Sequence, residues 1–341
     1  MKWLIVFIMV SVVSLGCGSS SPEDDAKLTL ASGQILFSAH HSASDMSASL
    51  KLFIMNSDGS QLTQLDHSIP SGGSDFGAPD IEKNTTGSWK IAYGTNGITV
   101  YDSGTGEAVA MGGAGATRAD FNSGATSLVY QMGASQINIW KSTVDGISPT
   151  QLTSVGVGQN AEWPYYNPVT STILYFATYG ATTRHVMNAD GSGDVAISVP
   201  GGSTVSHLSF KADGSEFLNP QNLTSYTLST GAVGSINSLK TTTTLMNQLA
   251  ELTYQEVPSS VVPGQGGHGT FALSTDWSRD GKKVVFDALV QDASTSLVKG
   301  IAIFTYDIAS DKLSLVYGPE VFDGSRTNNF NYSIYTPKWV P

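Results

Sequence analysis

The stretch Thr275-Asp276-Trp277-Ser278-Arg279-Asp280-Gly281-Lys282-Lys283-Val284-Val285-Phe286 decides how this chain is read. An aromatic closes a short strand, a polar Asp-Gly turn follows, and an apolar strand leaves the turn. Glycine after aspartate accepts the positive φ that a tight hairpin needs. The same unit returns along the chain. Arg118-Ala119-Asp120-Phe121 leads through Asn122-Ser123-Gly124 into Ser127-Leu128-Val129-Tyr130. Ala161-Glu162-Trp163 leads through Asn167-Pro168 into Ile173-Leu174-Tyr175-Phe176. His207-Leu208-Ser209-Phe210 leads through Ala212-Asp213-Gly214 into Glu216-Phe217-Leu218, and Pro79-Asp80-Ile81 leads to Lys90-Ile91-Ala92-Tyr93.

Each unit continues into a second hairpin. Leu52 to Met55, Asn56-Ser57-Asp58-Gly59 and Ser60 to Leu65 show it in full, and Ile137 to Thr153 and His185 to Gly191 repeat it. Related hairpins turn at Asp102-Ser103-Gly104, at Ser229-Thr230-Gly231 and between Asp307 and Asp311. Four short strands recurring roughly every 40 residues are the pattern of a propeller blade. The first hairpin is preceded by Gln34 to Ser38 but has no aromatic leader. The missing piece lies at the far end, in Thr336-Pro337-Lys338-Trp339-Val340-Pro341. The expected fold is therefore all-β: a six-bladed β-propeller of four-stranded blades, its first blade closed by the C-terminal strand. Such closure removes free sheet edges.

These motifs resemble the TolB-like β-propeller repeat, which runs close to Pro-x-Trp-Ser-x-Asp-Gly-Lys-x-Ile-x-Phe followed by an Asn-x-Asp-Gly hairpin. The likeness covers about residues 33–341 and is strongest at Thr275 to Phe286, Leu52 to Leu65 and Met187 to Gly191. It implies a periplasmic or secreted propeller that binds proteins or peptides. Related propellers also serve peptidases and lyases, so the fold alone does not fix a function.

The chain has 341 residues, 40% hydrophobic and 13% charged, with a net charge of −11. An acidic chain without a basic cluster argues against nucleic acid and against electrostatic docking on anionic lipid. The single cysteine, Cys17, leaves the folded part without a disulfide framework. Met1-Lys2 precedes an apolar run from Trp3 to Val13 and then Ser14-Leu15-Gly16-Cys17, the layout of an export signal. The cysteine at the cut resembles a bacterial lipobox, although Ser14 stands where leucine is usual. Residues 1–17 are read as a lipoprotein signal peptide with lipidation at Cys17, and 18–32 as a flexible tether. The propeller occupies 33–341, with an insertion at about 236–271 that contains a candidate short helix from Leu245 to Leu252. A smaller insertion runs from Gln291 to Lys299. The protein is expected to be exported and lipid-anchored. Gly18, in place of an inner-membrane retention aspartate, favours the outer membrane by resemblance. The anchor is the only membrane contact expected, and the propeller is expected to be monomeric.

Aligned on their aromatics, the leader strands place Asp80, Asp120, Glu162, Ser209, Asp276 and Lys338 on the opposite face, around the channel. Four carboxylates against one lysine suit a cation such as Ca²⁺, or a cationic ligand; they suit solvated channel residues equally. Tyr165, Tyr166, His207 and His268 are candidate contacts at a channel mouth, as are Phe330, Tyr332 and Tyr335. The six histidines show no metal-ligand spacing, no serine sits in a Gly-x-Ser-x-Gly elbow, and no catalytic residue is assigned. The expected function is a non-catalytic protein- or peptide-binding lipoprotein of the envelope. The alternative is a carbohydrate-active propeller, either a metal-assisted polysaccharide lyase or hydrolase or a glycan binder.

Overall fold

A computed structural model describes residues 28, 30–40, 50–65, 79–94, 97–179, 183–197, 208–219, 224–229, 232–238, 274–291, 298–317 and 336–341. Its strands form six four-stranded antiparallel sheets, and the described residues contain no helix. In the first sheet the C-terminal strand β24 (Lys338–Trp339) pairs with β1 (Gln34–His40), then come β2 (Leu50–Asn56) and β3 (Thr63–Gln64). Ile35 lies opposite Trp339 and Leu36 opposite Lys338, so the chain ends do close one blade as the sequence implies. The innermost strands of blades two to six are β4 (Asp80–Lys83), β8 (Thr117–Phe121), β12 (Ala161–Tyr166), β16 (Ser209–Phe210) and β20 (Ser274–Trp277).

Alternating apolar residues on both sheet faces bury six clusters, one at each blade junction. Leu36, Leu52 and Ile54 of blade one meet Ile81, Ile91 and Tyr93 of blade two. Blades two and three share Val100, Met111, Phe121 and Tyr130; blades three and four share Val129, Ile139, Ile173 and Tyr175. Leu174 and Val186 pack on Phe217 and Tyr226 between blades four and five. Leu218 packs with Val284, Phe286 and Phe304 between five and six. The ring closes where Ile35, Phe37 and Trp339 meet Val285 and Ile303. Burial of apolar surface at every junction makes each blade dependent on both neighbours.

The hairpin motifs act as read. At Asn56 to Ser60, the Gly59 N–H donates to the Asn56 carbonyl at 2.9 Å, and Asp58 accepts from the Ser60 amide and hydroxyl at 2.9 and 2.6 Å. Asp190 does the same for Ser192. Gly59 has φ +83°, and a Cβ there would sit 2.3 Å from the Val316 carbonyl oxygen of blade six. Glycine is therefore needed twice over, for conformation and for blade-to-blade approach. In blade five, β19 (Ala232–Ser238) pairs with β18 (Thr224–Ser229), with Ile236 opposite Tyr226. The strand thus runs into the span read as an insertion; the candidate helix and residues 239–271 lie outside the described residues. Around the smaller insertion, β21 (Lys283–Gln291) and β22 (Val298–Asp307) form an extended hairpin.

One register differs from the sequence reading. In β12 a bulge falls between Glu162 and Tyr165, and Trp163 has φ +58°. The residue matching Phe121 is therefore Tyr166, not Trp163, and Tyr165 takes the channel position assigned to Glu162. The same bulge recurs in β8, where Arg118 has φ +58°. Thr336, also three residues before its blade's aromatic, has φ +35°. Positive φ at non-glycine residues costs about 1 kcal/mol or more at each site. Three recurrences at one repeat position make it a built feature of the inner strands.

Candidate functional site

The inner strands converge on a cavity of about 130 Å³ at one mouth of the channel. One residue from each blade faces it at the ring position: Lys338, Asp80, Asp120, Tyr165, Ser209 and Asp276, from blade one to blade six. Five of the six expected ring residues are brought together. Glu162 is displaced by the β12 bulge, and it sits with Arg118, whose guanidinium lies 3.2 Å from the centre of the Trp163 ring. Burial raises the Glu162 carboxyl pKa, opposed by the charge of Arg118.

The aspartates staple the ring. Asp80 accepts the Phe121 amide at 2.8 Å, Asp120 accepts the Tyr166 amide at 2.7 Å, and Asp276 accepts the Trp339 amide at 2.8 Å. In each case a carboxylate of one blade satisfies the backbone N–H of the next blade's aromatic. Buried amides need such partners, because leaving one unpaired costs about 1–3 kcal/mol. Lys338 leans to one side, with its Nζ 3.1 Å from Asp80 Oδ1 and 3.8 Å from Asp120 Oδ1.

Electrostatics follow from this crowding. Burial, together with the neighbouring Asp80, holds the Asp120 carboxyl well above the usual carboxylate range. Burial pushes Asp276 up to about 7 against the pull of Lys338. For Lys338, burial works against the charged form, but Asp80, Asp276 and Asp120 outweigh it, so the ammonium is held more firmly than usual. Tyr165 is pushed up to about 12 by burial and keeps its hydroxyl proton. Ser209 is 4% exposed, and its Oγ has no hydrogen-bond partner among the described residues.

The rim is built from a second register. The residue two places beyond the ring aromatic lines the cavity in five blades: Ser123, Pro168, Ala212, Arg279 and Pro341. Arg279 is 61% exposed and lies 3.6 Å from Glu82 Oε1. These positions went unnoticed in the sequence, although each stands at a fixed offset from an aromatic. Of the expected mouth contacts, Tyr165 and Tyr166 line the cavity. His207, His268, Phe330, Tyr332, Tyr335 and Cys17 lie outside the described residues. Among the described residues, no three His, Cys, Asp or Glu side chains converge as metal ligands.

A second polar cluster sits on blade four, away from the channel. His185 Nδ1 is 3.0 Å from Asp194 Oδ1 and its Nε2 is 3.1 Å from Thr183 Oγ1. The Tyr179 hydroxyl donates to Asp194 at 3.3 Å and lies 2.6 Å from that of Tyr175. The chain of bonds ties the blade's strands to the loop before its outer edge.

No family model matches the chain, and no curated protein matches it in sequence. Solved structures do resemble it. TolB from Acinetobacter baumannii is 13% identical with a TM-score of 0.58, over 91% of this chain and 67% of that one. A chain of a nidogen/laminin complex is 11% identical with a TM-score of 0.53, over 84% and 94%. An oligogalacturonate lyase in complex with manganese is 12% identical with a TM-score of 0.46, over 84% and 74%, a likeness too distant to weigh. At such identities the likeness concerns architecture, and it places this chain among proteins of the TolB-like β-propeller fold.

Proposed function

We propose that this chain is a non-catalytic protein- or peptide-binding propeller of the cell envelope, anchored by lipid on Cys17, that engages its partner at the channel mouth. The observation carrying this reading is the cavity itself. All six blades contribute a side chain to one concave site, bounded by buried aromatics and a charged rim. Concave, mostly preformed sites with a few convergent polar groups are where ligands bind. The rim pair Arg279–Glu82 offers both signs of charge to a polar partner. The fold shared with TolB, and with a chain taken from a protein–protein complex, supports the same class of role. The apolar run from Trp3 to Val13, read as an export signal, and Cys17 at its expected cut support the address.

Two experiments test the reading. In the first, immobilised wild-type chain and an Arg279→Glu variant are exposed to detergent-solubilised envelope. A partner retained by the wild type and weakened by the rim variant is expected; equal capture by both, or none by either, overturns it. In the second, Cys17→Ala is expected to move the protein from the detergent phase to the aqueous phase. An unchanged partition overturns the anchor.

A further inference from the structure

Away from the channel, a crevice of about 290 Å³ opens where blade three meets blade four. It shares no lining residue with the channel mouth. One wall is the segment from Leu152 to Val155, which leaves β11 (Thr150–Gln151), the outer strand of blade three. The other wall carries Tyr179, Met187 and Asp194 of blade four. Leu152, Val155 and Tyr179 pack against the buried cluster that contains Met187, so both walls are anchored in the core. At Gly191 the blades approach so closely that a Cβ would lie 2.8 Å from the Leu152 carbonyl oxygen.

The polar groups of the crevice are held in place as well. Asp194 Oδ1 lies 3.0 Å from His185 Nδ1, and Asp194 Oδ2 accepts the Tyr179 hydroxyl at 3.3 Å. His185 is fixed in turn by Thr183, and Tyr179 by Tyr175. The Asp194 side chain is nevertheless 36% exposed, and each carboxylate oxygen can accept a second hydrogen bond. Gln159 Oε1 accepts the Gly156 amide at 3.0 Å. Its Nε2, a double donor, has no partner among the described residues, and neither has the hydroxyl of the exposed Ser154. The crevice thus combines accessible acceptors, accessible donors and an apolar wall.

We propose that this crevice binds a neutral saccharide unit through neighbouring hydroxyls. The site is additional to the channel mouth and does not depend on it. A cationic ligand offers donors only and leaves the Gln159 amide nitrogen without an acceptor. An anionic one meets Asp194, the only charged residue among those lining the crevice. A sugar hydroxyl both donates and accepts, so adjacent hydroxyls can serve a carboxylate and an amide nitrogen together. Leu152, Val155 and Met187 suit the C–H face of the ring. A mostly preformed pocket with a few fixed polar groups is the usual form of a small-molecule site, and this volume lies at the lower end of that class. The Tyr175–Tyr179–Asp194–His185–Thr183 chain then acts as a brace that keeps the acceptor in position before the sugar arrives.

Saturation-transfer NMR of the full chain at pH 7, read by titration, tests the site. The probes are the methyl glycosides of glucose, galactose and mannose, methyl glucuronide and butylammonium chloride. At least one neutral glycoside is expected to bind, and more tightly than the glucuronide or butylammonium. Asp194→Ala should weaken that glycoside about tenfold or more. Gln159→Ala leaves the Asp194 brace intact, should weaken it several-fold, and carries the test if the first variant disturbs the fold. The rim variant Arg279→Glu should bind it as the wild type does. No response from any neutral glycoside, tighter binding of glucuronide or butylammonium, or wild-type affinity in Gln159→Ala overturns the proposal. Loss of binding in Arg279→Glu overturns it too, since the sugar would then sit at the channel mouth. Capture of an envelope partner is unaffected by the Gln159 and Asp194 variants, so the channel-mouth reading and this one fail separately.

Discussion

The ring has two kinds of junction between neighbouring inner strands. At three of them an aspartate reaches across to the next blade's amide: Asp80 to Phe121, Asp120 to Tyr166 and Asp276 to Trp339. At the other three the same ring position holds Tyr165, Ser209 or Lys338. Identical backbone geometry thus serves two ends. Aspartate has the reach and charge to staple blades, while Lys338 turns to its ion pairs with Asp80 and Asp120, and Ser209 Oγ stays buried without a hydrogen-bond partner among the described residues. Most of the acidic character of the channel is accordingly structural.

The largest test of this contrast is to remove the closing strand. Deleting Lys338 to Pro341 removes the donor of the Asp276 staple, both ion pairs of Lys338 and the buried Trp339. Loss of a buried tryptophan alone costs about 3–5 kcal/mol, so calorimetry should find no cooperative native transition. A truncated chain that melts like the wild type contradicts the closed ring. Next in size is Asp120→Ala, which leaves the Tyr166 amide buried without its partner and withdraws a charge from Lys338. Destabilisation of about 2–3 kcal/mol is expected from denaturant unfolding; less than half a kilocalorie would demote the staple to an incidental contact.

The pH dependence of stability is a smaller effect with a definite sign. An unfolded aspartate ionises near 3.9, whereas Asp276 is held at about 7 and Asp287, buried beside Ser274, at about 6. Between these limits the native state binds protons that the unfolded chain has released. Stability from these groups is full below about pH 4, falls as pH rises toward 7, and levels off above it. In the turns, Asp58, Asp190 and Asp213 are shifted downward by their serine partners, so their contribution is lost as pH falls below about 4. The melting temperature should therefore peak near pH 4–5 and decline to pH 8, and Asp276→Asn should flatten that decline. A melting temperature that rises from pH 5 to pH 8 contradicts the assignment. Smallest of all, Ser209→Ala should change stability by no more than about 0.5 kcal/mol, because no internal bond of Ser209 Oγ is lost. A loss several times larger would make Ser209 a fourth staple.

Much of this was legible in the residues. Asp-Gly turns, apolar alternation and the fit of Trp339 to the gap before Gln34 specify the blades, since each depends on local φ or period-two burial. The ring positions were legible where the aromatic directly precedes a polar turn residue, as in Phe121-Asn122 and Trp277-Ser278. Blade four misled because Trp163 offers an aromatic three residues early. Tyr166-Asn167 fits the same rule, and the structure uses it. The stapling role was not legible, because which oxygen meets which amide depends on how adjacent blades pack, and that is not a property of either strand alone. The orphaned Ser209 and the lean of Lys338 toward Asp80 are likewise consequences of ring closure.

The central claim is that a partner sits on the channel mouth, and amide hydrogen exchange of the protein with and without its captured partner tests it most directly. The account predicts added protection in the rim turns of several blades, around Ser123, Pro168, Ala212 and Arg279. Protection confined to outer strands such as β3 and β19, with those turns unchanged, would contradict it.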